Sequence, residues 1–135
     1  MGQQQLLLVI LVTIIVGVAT VVAINVFGTS AKNANLDAVR QDVLTIGSQA
    51  QGWYMKPTMM NGGGGSFTGL NFTTLGFGYS KAIDSPTAPL DVSNANGEYK
   101  LDASAGDSLK ITATPVQAKD STITAWVKAG NIRFQ

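Results

Sequence analysis

The N-terminus of this chain carries no charge for 31 residues, because Lys32 is the first ionisable side chain. Leu6 to Phe27 is a run of 22 residues that is apolar apart from Thr13, Gly17, Thr20 and Asn25. A helix needs roughly 20 apolar residues to cross a hydrocarbon core of ~30 Å. The run therefore predicts a helix that crosses a membrane or packs against copies of itself.

A secretory signal peptide explains this N-terminus less well. Such a signal has a basic start, an apolar run of about 7–15 residues and a small-residue cleavage site. Here the apolar run is longer, and no Lys or Arg precedes it. Positive charges mark the cytoplasmic side of a span, and the nearby ones, Lys32 and Arg40, both follow the run. As the chain stands, these charges would place the globular domain in the cytoplasm. Removal of a basic leader would reverse that orientation, so we expect a processed chain.

Composition restricts the chemistry of the rest of the chain. All 17 charged residues lie from Lys32 onward in a chain of 135 residues, which fits one small domain with a long appendage. The net charge is +1 and the charges are scattered, so no nucleic-acid site is evident. Neither Cys nor His is present, which excludes disulfides and thiolate metal sites and removes the commonest general base. We expect neither catalysis nor a bound metal or cofactor.

The helical pattern continues beyond the apolar run. Apolar residues recur at spacings of three and four, which places them on one face of a helix over residues 32–56. Pro57 is expected to end this helix. The predicted face, which must pack on a globular head, consists of Leu36, Val39, Val43, Ile46, Ala50 and Trp53.

Residues 57–97 predict a loop that is rich in glycine. The run Gly62–Gly65 favours a connector or packing loop, with a phosphate cradle or a close approach between subunits as alternatives. A phosphate loop would need a following helix and usually Gly-Lys-Ser/Thr, which this segment lacks. Asn71-Phe72-Thr73 is a sequon for N-glycosylation, so Asn71 is a candidate modification site.

Residues 98–135 change to a period of two. Apolar and polar residues alternate over 98–103, 109–114 and 122–128, with turn residues between these runs. Such runs predict an antiparallel meander with one buried face, and Ile132 and Phe134 favour a short last strand. We therefore expect an α+β fold, in which the long N-terminal helix packs on a small antiparallel sheet. The expected organisation is an apolar half-helix, 1–31, and a globular head, 32–135.

This layout resembles that of a type IV pilin: an apolar helix, its amphipathic continuation, a variable loop and an antiparallel sheet. The resemblance implies a subunit that waits in the inner membrane, is processed by a prepilin peptidase, and is polymerised by an assembly machinery into a cell-surface filament. The filament core would be formed by the N-terminal helices of identical subunits. The residues that would form it are Gln5, Leu6, Leu7, Leu8, Ile10, Leu11, Ile14, Ile15, Gly17, Val18, Ala19, Val21, Val22 and Ile24.

The chain departs from the family at several points. The family's Glu at the fifth mature position is replaced by Gln5 if the mature chain starts at Met1, or by Leu7 if it starts at Gln3. Neutral hydrogen bonds from Gln5 would then set the register without the cost of burying a charge. The family's proline within the span is missing, which leaves Gly17 and Gly28 as the points of local flexibility. The family's C-terminal disulfide cannot form.

Two other functions remain open from the sequence. One is a minor pseudopilin of a secretion or DNA-uptake system, for which the missing Glu is an argument. The other is a single-span anchored domain that does not polymerise. The continuous helical pattern argues against the second, because simple anchors usually have a flexible break after the span.

Overall fold

The structure, a computed structural model, describes residues 2–135. Its helix α1 is Gly2–Met55, a 3₁₀ turn is Thr58–Met60, and helix α2 is Phe72–Leu75. The chain forms two compact units that divide between Ala34 and Asn35. The division lies three residues beyond the boundary of 31 expected from the sequence. Each unit is described by itself below.

The second unit is an α+β domain, in which the C-terminal part of α1 packs on an antiparallel sheet. Six strands follow one another in the order β1-β2-β3-β4-β5-β6, and every neighbouring pair is antiparallel. The strands are β1 Lys81–Ala82, β2 Asp91–Ser93, β3 Gly97–Asp102, β4 Leu109–Pro115, β5 Ile123–Lys128 and β6 Asn131–Phe134. The three alternating runs correspond to β3, β4 and β5, and β6 is the short last strand.

The predicted face of α1 lies in the core of this domain. Val39, Val43, Ile46 and Ala50 are buried, whereas Leu36 and Trp53 are partly buried and pack against the core. They meet the inner face of the sheet, which contributes Tyr99, Leu101, Leu109, Ile111, Ala113, Ile123, Ala125 and Val127. Burial of these apolar side chains is the main driving force for folding of the domain.

Gly47 lies on the same buried face of α1. A Cβ atom at this position would be 2.8 Å from Ile132 Cδ1 and 3.3 Å from Val127 Cγ2. The missing side chain thus lets the helix approach strands β5 and β6 closely. The sequence alone shows only a glycine within a helix at this position, because nothing in the local pattern indicates which strand will lie against it.

The prediction of a simple loop over 57–97 is wrong, because this segment contains α2, β1 and β2 as well as the 3₁₀ turn. Phe67, Leu70, Phe72, Leu75 and Phe77 are buried in the core. These buried side chains pack residues 57–97 against the domain. The helix and strands of this segment are too short to show a hydrophobic period in the sequence. Helix α2 is started by a reciprocal cap between Asn71 and Thr74.

Candidate assembly surface

The first unit exposes apolar side chains along its whole described length. Every residue from 2 to 34 is exposed, and the exposed fraction ranges from 51% at Val12 to 78% at Phe27 among the large apolar residues. The predicted filament-core residues, from Gln5 to Ile24, all belong to this surface. Part of α1 is long and apolar enough to cross a membrane, judged by length and composition alone. Such a surface needs lipid or another apolar partner.

Small side chains open a shallow strip on one side of this surface. Ala19 and Ala23 lie one turn apart, between the larger side chains of Ile and Val residues. Neighbouring helices approach most closely where side chains are small. The strip consists of Ile14, Ile15, Val18, Ala19, Val22, Ala23, Val26, Phe27 and Ser30.

Gly17 does not line this strip, although we expected it to join the same assembly core. A Cβ atom at Gly17 or at Gly28 would meet nothing within 4 Å. Both positions are therefore open within the subunit. A side chain added at Gly17 would contact only what surrounds the subunit, so Gly17 offers a sensitive probe of packing between subunits.

The threonines of the first unit satisfy their hydroxyl groups within α1. Thr13 Oγ1 donates to the carbonyl oxygen of Val9 and Thr20 Oγ1 to that of Val16, each at 2.7 Å. This bond to the residue four positions earlier is a common one for a helical threonine. Thr13 and Thr20 therefore reach apolar surroundings with their donors already occupied.

The glycine run stabilises the C-terminal end of α1. The last carbonyl groups of a helix have no partner within the helix. Here Gly63 N donates to Trp53 O at 2.8 Å, Gly65 N to Tyr54 O at 2.9 Å, and Gly64 N to Lys56 O at 2.9 Å. These amide groups are consequently not free to hold a phosphate. The packing loop is the interpretation that this geometry supports.

A polar cluster that the sequence analysis missed joins α1 to the sheet. Asp42 Oδ2 accepts hydrogen bonds from Tyr99 Oη at 2.5 Å, Asn96 Nδ2 at 2.9 Å and Asn94 Nδ2 at 3.1 Å. Burial, and then the bond to Asp42, raise the pKa of Tyr99. In the helical pattern Asp42 lies off the apolar face, and the pattern names no partner for it. Asn94 and Asn96 belong to the turn before β3.

Asn35 fixes the same region of α1 from a second point. Its Nδ2 donates to Asn96 O at 2.8 Å, and its Oδ1 accepts from Gln117 N at 2.9 Å. Together, Asn35 and Asp42 hold α1 against the turn before β3 and against the residues that follow β4. Both residues carry the same sequence signal. Each is a short polar side chain directly before an apolar residue of the helix face, and an Asn-rich turn occurs elsewhere in the chain.

Asn71, the candidate glycosylation site, has a structural role in the described fold. It is half-buried, and its Oδ1 accepts from Thr74 N at 2.9 Å at the start of α2. The next residue of the sequon, Phe72, is fully buried. Modification of Asn71 after folding would therefore require a rearrangement of α2.

Comparison with known proteins adds no relative. No protein-family model, curated protein or solved structure matches the chain. Within residues 2–135, no group of three or more Asp or Glu side chains is arranged to hold a metal ion. The functional argument consequently depends on the two units themselves.

Proposed function

We propose that the chain is a structural subunit of an extracellular, type IV pilus-like filament, which polymerises through its N-terminal helix. Before assembly the helix lies in the inner membrane, and after assembly it lies in the filament core. The observation that supports this most directly is the contrast within α1. Its residues 2–34 are all exposed and mostly apolar, whereas Val39, Val43, Ile46 and Ala50 are buried in a complete domain.

The energetics of such a transfer depend on packing. Apolar side chains that move from lipid to a bundle of helices stay in an apolar environment. Removal of area from water therefore contributes little to the free energy of assembly. Filament stability must then come from close contact between helices. Ala19 and Ala23 lie in the strip where such contact is least obstructed, and Thr13 and Thr20 are already satisfied by their own backbone.

A monomeric anchor is the competing function, because the same helix satisfies the length and composition of a membrane span. The uninterrupted assignment of α1 from Gly2 to Met55 favours the filament. An anchor has no need of helical structure beyond the membrane, whereas the proposed subunit uses the second part of the same helix as the backbone of its domain.

The first experiment is electron microscopy of the sheared cell-surface fraction, together with intact-mass analysis of its main small protein. We expect thin filaments that contain this chain, and a mass that identifies the mature N-terminus and any methylation. Recovery of the chain only as a monomer in the membrane fraction would refute the filament and leave the anchor.

The second experiment tests helix packing with a matched pair of variants. Gly17→Leu adds a large side chain where the subunit leaves open space, and Gly52→Leu makes the same change at an open position of α1 in the globular unit. Both changes favour the helix by about 1 kcal/mol. We expect Gly17→Leu to abolish filaments and Gly52→Leu to retain them. Normal filament yield from Gly17→Leu would exclude close packing at Gly17.

A further inference from the structure

The outer face of the sheet carries an exposed tryptophan between two cations. Lys110 on β4, Trp126 on β5 and Arg133 on β6 are direct cross-strand partners, so their side chains share one face. Trp126 is 38% exposed, and Lys110 Nζ lies 5.7 Å from the centre of its ring. We call Lys110, Trp126, Lys128 and Arg133 the basic face. A single exposed ring needs no partner by itself, so what this face can bind depends on the charges and the depression around the ring.

Charge is divided unequally over the sheet. Strands β4, β5 and β6 carry the cations Lys110, Lys128 and Arg133 and no acidic residue, whereas all acidic residues of the strands lie in β2 and β3. Within residues 2–135 the one ion pair is Arg40 with Asp37. Lys110 has Asp102 as its cross-strand partner on β3, whereas Lys128 and Arg133 have no acidic cross-strand partner. This half of the sheet therefore attracts an anion.

A depression of about 500 Å³ lies beside the tryptophan. Lys128, Arg133, Asn131 and Gln135 line it together with Trp126. Gln135 Oε1 accepts a hydrogen bond from Trp126 Nε1 at 3.3 Å, which restrains the ring. The volume is within the range of small-molecule sites, about 300–1,000 Å³. The lining combines an aromatic surface, two cations and two amide groups.

We infer that the basic face binds an acidic saccharide, such as a uronic-acid oligomer. The ring of Trp126 offers an apolar surface to the C–H face of a pyranose. Arg133 and Lys128 match its carboxylate, Arg133 with the two-pronged geometry that guanidinium groups provide. Asn131 and Gln135 carry donors and acceptors for sugar hydroxyls. This binding activity goes beyond the proposed filament and does not depend on it.

A nucleic acid fits this face less well. Single strands are bound by a basic groove that follows the backbone and by aromatic residues that stack successive bases. Two exposed rings line the depression, but Trp126 and Phe134 are one residue out of register and point to opposite faces of the sheet, so they cannot stack successive bases. Strand β3 places Asp102 opposite Lys110, and Glu98 on β3 and Asp91 on β2 lie further across the sheet. A phosphate backbone that extends across the sheet would meet these acids, whereas a short acidic saccharide need not reach them.

Calorimetry and tryptophan fluorescence on the full chain, in a detergent without sugar head groups, test the inference. The probes are tetragalacturonate, its methyl ester, which lacks the negative charges, and oligothymidylate. We expect saturable binding of tetragalacturonate, at least about tenfold weaker binding of the ester, and weakening by salt. No binding of tetragalacturonate, or equal binding of the ester, would overturn the inference. Tighter binding of oligothymidylate would replace it with a nucleic-acid site.

Matched variants locate the site. Trp126→Ala and the double variant Lys128→Gln/Arg133→Gln should each weaken tetragalacturonate binding about tenfold or more. Trp126→Phe, which keeps an aromatic ring, should retain most of the affinity and exclude misfolding as the cause. The control Lys56→Gln/Lys119→Gln removes the same charge at exposed positions outside the face and should bind normally. Equal weakening by the control would overturn the assignment to the basic face. The assignment would also be overturned if variants of the basic face reduced self-association of the chain without weakening saccharide binding.

Discussion

The contact between Asp42 and Tyr99 permits a quantitative test of how α1 is held on the sheet. Asp42→Ala removes the oxygen that accepts from Tyr99, Asn94 and Asn96. The side chain of Tyr99 is fully buried, so its hydroxyl loses its acceptor inside the fold. Asn94 and Asn96 are only half-buried and can turn to solvent. The cost therefore comes chiefly from Tyr99.

The expected magnitude follows from that geometry. A buried donor without a partner costs about 1–3 kcal/mol, and a hydrogen bond to a charged group contributes about 1.5–3 kcal/mol. We expect Asp42→Ala to lower the free energy of unfolding by about 2–3 kcal/mol, and Tyr99→Phe by about 1–2 kcal/mol. The double variant also removes the unpaired hydroxyl, so it should lose no more than Asp42→Ala alone. The coupling between the two sites is then about 1–2 kcal/mol.

Urea unfolding of the full chain in non-ionic detergent, followed by near-ultraviolet circular dichroism, measures these values. Asp37→Ala is the matched control, because Asp37 is an exposed acid of the same helix with one ion pair, to Arg40 at 3.3 Å. An exposed pair contributes about 0.2–1 kcal/mol. If Asp42→Ala costs no more than Asp37→Ala, or if the double variant is additive, the cluster does not stabilise the domain and the reasoning fails.

Two further predictions concern the globular unit. Burial, and then the bond to Asp42, raise the pKa of Tyr99 above its ordinary value of 10.0. This contribution to stability is therefore complete below that pH and is lost above it. Urea titrations between pH 8 and pH 11, at roughly the ordinary tyrosine pKa, should show a steeper alkaline decline in the wild type than in Tyr99→Phe; equal slopes would contradict the shift. Gly63→Ala places a Cβ atom 2.1 Å from Ser66 O and 2.6 Å from Trp53 Cζ3. It should cost about 1–3 kcal/mol in the same assay, whereas Gly78→Ala, which meets nothing within 4 Å, should cost clearly less; equal effects would exclude the clash.

The fold was largely predictable where side chains repeat with a clear period. The stripe from Leu36 to Trp53 and the alternation over β3, β4 and β5 indicated an α+β domain with a helix on an antiparallel sheet. Residues 57–97 were misread as loop because β1 and β2 are only two and three residues long. Such short strands form through pairing, β2 with β3 and β1 with β2, and a single sequence holds no local sign of that pairing.

The candidate sites were predictable to different degrees. The predicted filament core is an exposed surface of α1, but only the structure separates the strip around Ala19 and Ala23 from Gly17. The glycine run Gly62–Gly65 gave no sign that its amide groups cap α1, because the carbonyls that they meet belong to an element that ends earlier in the chain.

The sequence by itself determined the properties that depend on order along the chain: an uncharged apolar helix of membrane length, its amphipathic continuation, and a meander of alternating strands. Only the tertiary structure decided which distant residues meet. It brings Asp42 to Tyr99, sets Gly47 against Ile132, and gathers Lys110, Trp126 and Arg133 on one face. The physical reason is that hydrophobic periodicity reports burial of a face, whereas hydrogen bonds, close approaches and charge clusters depend on strand register and on how the helix lies across the sheet.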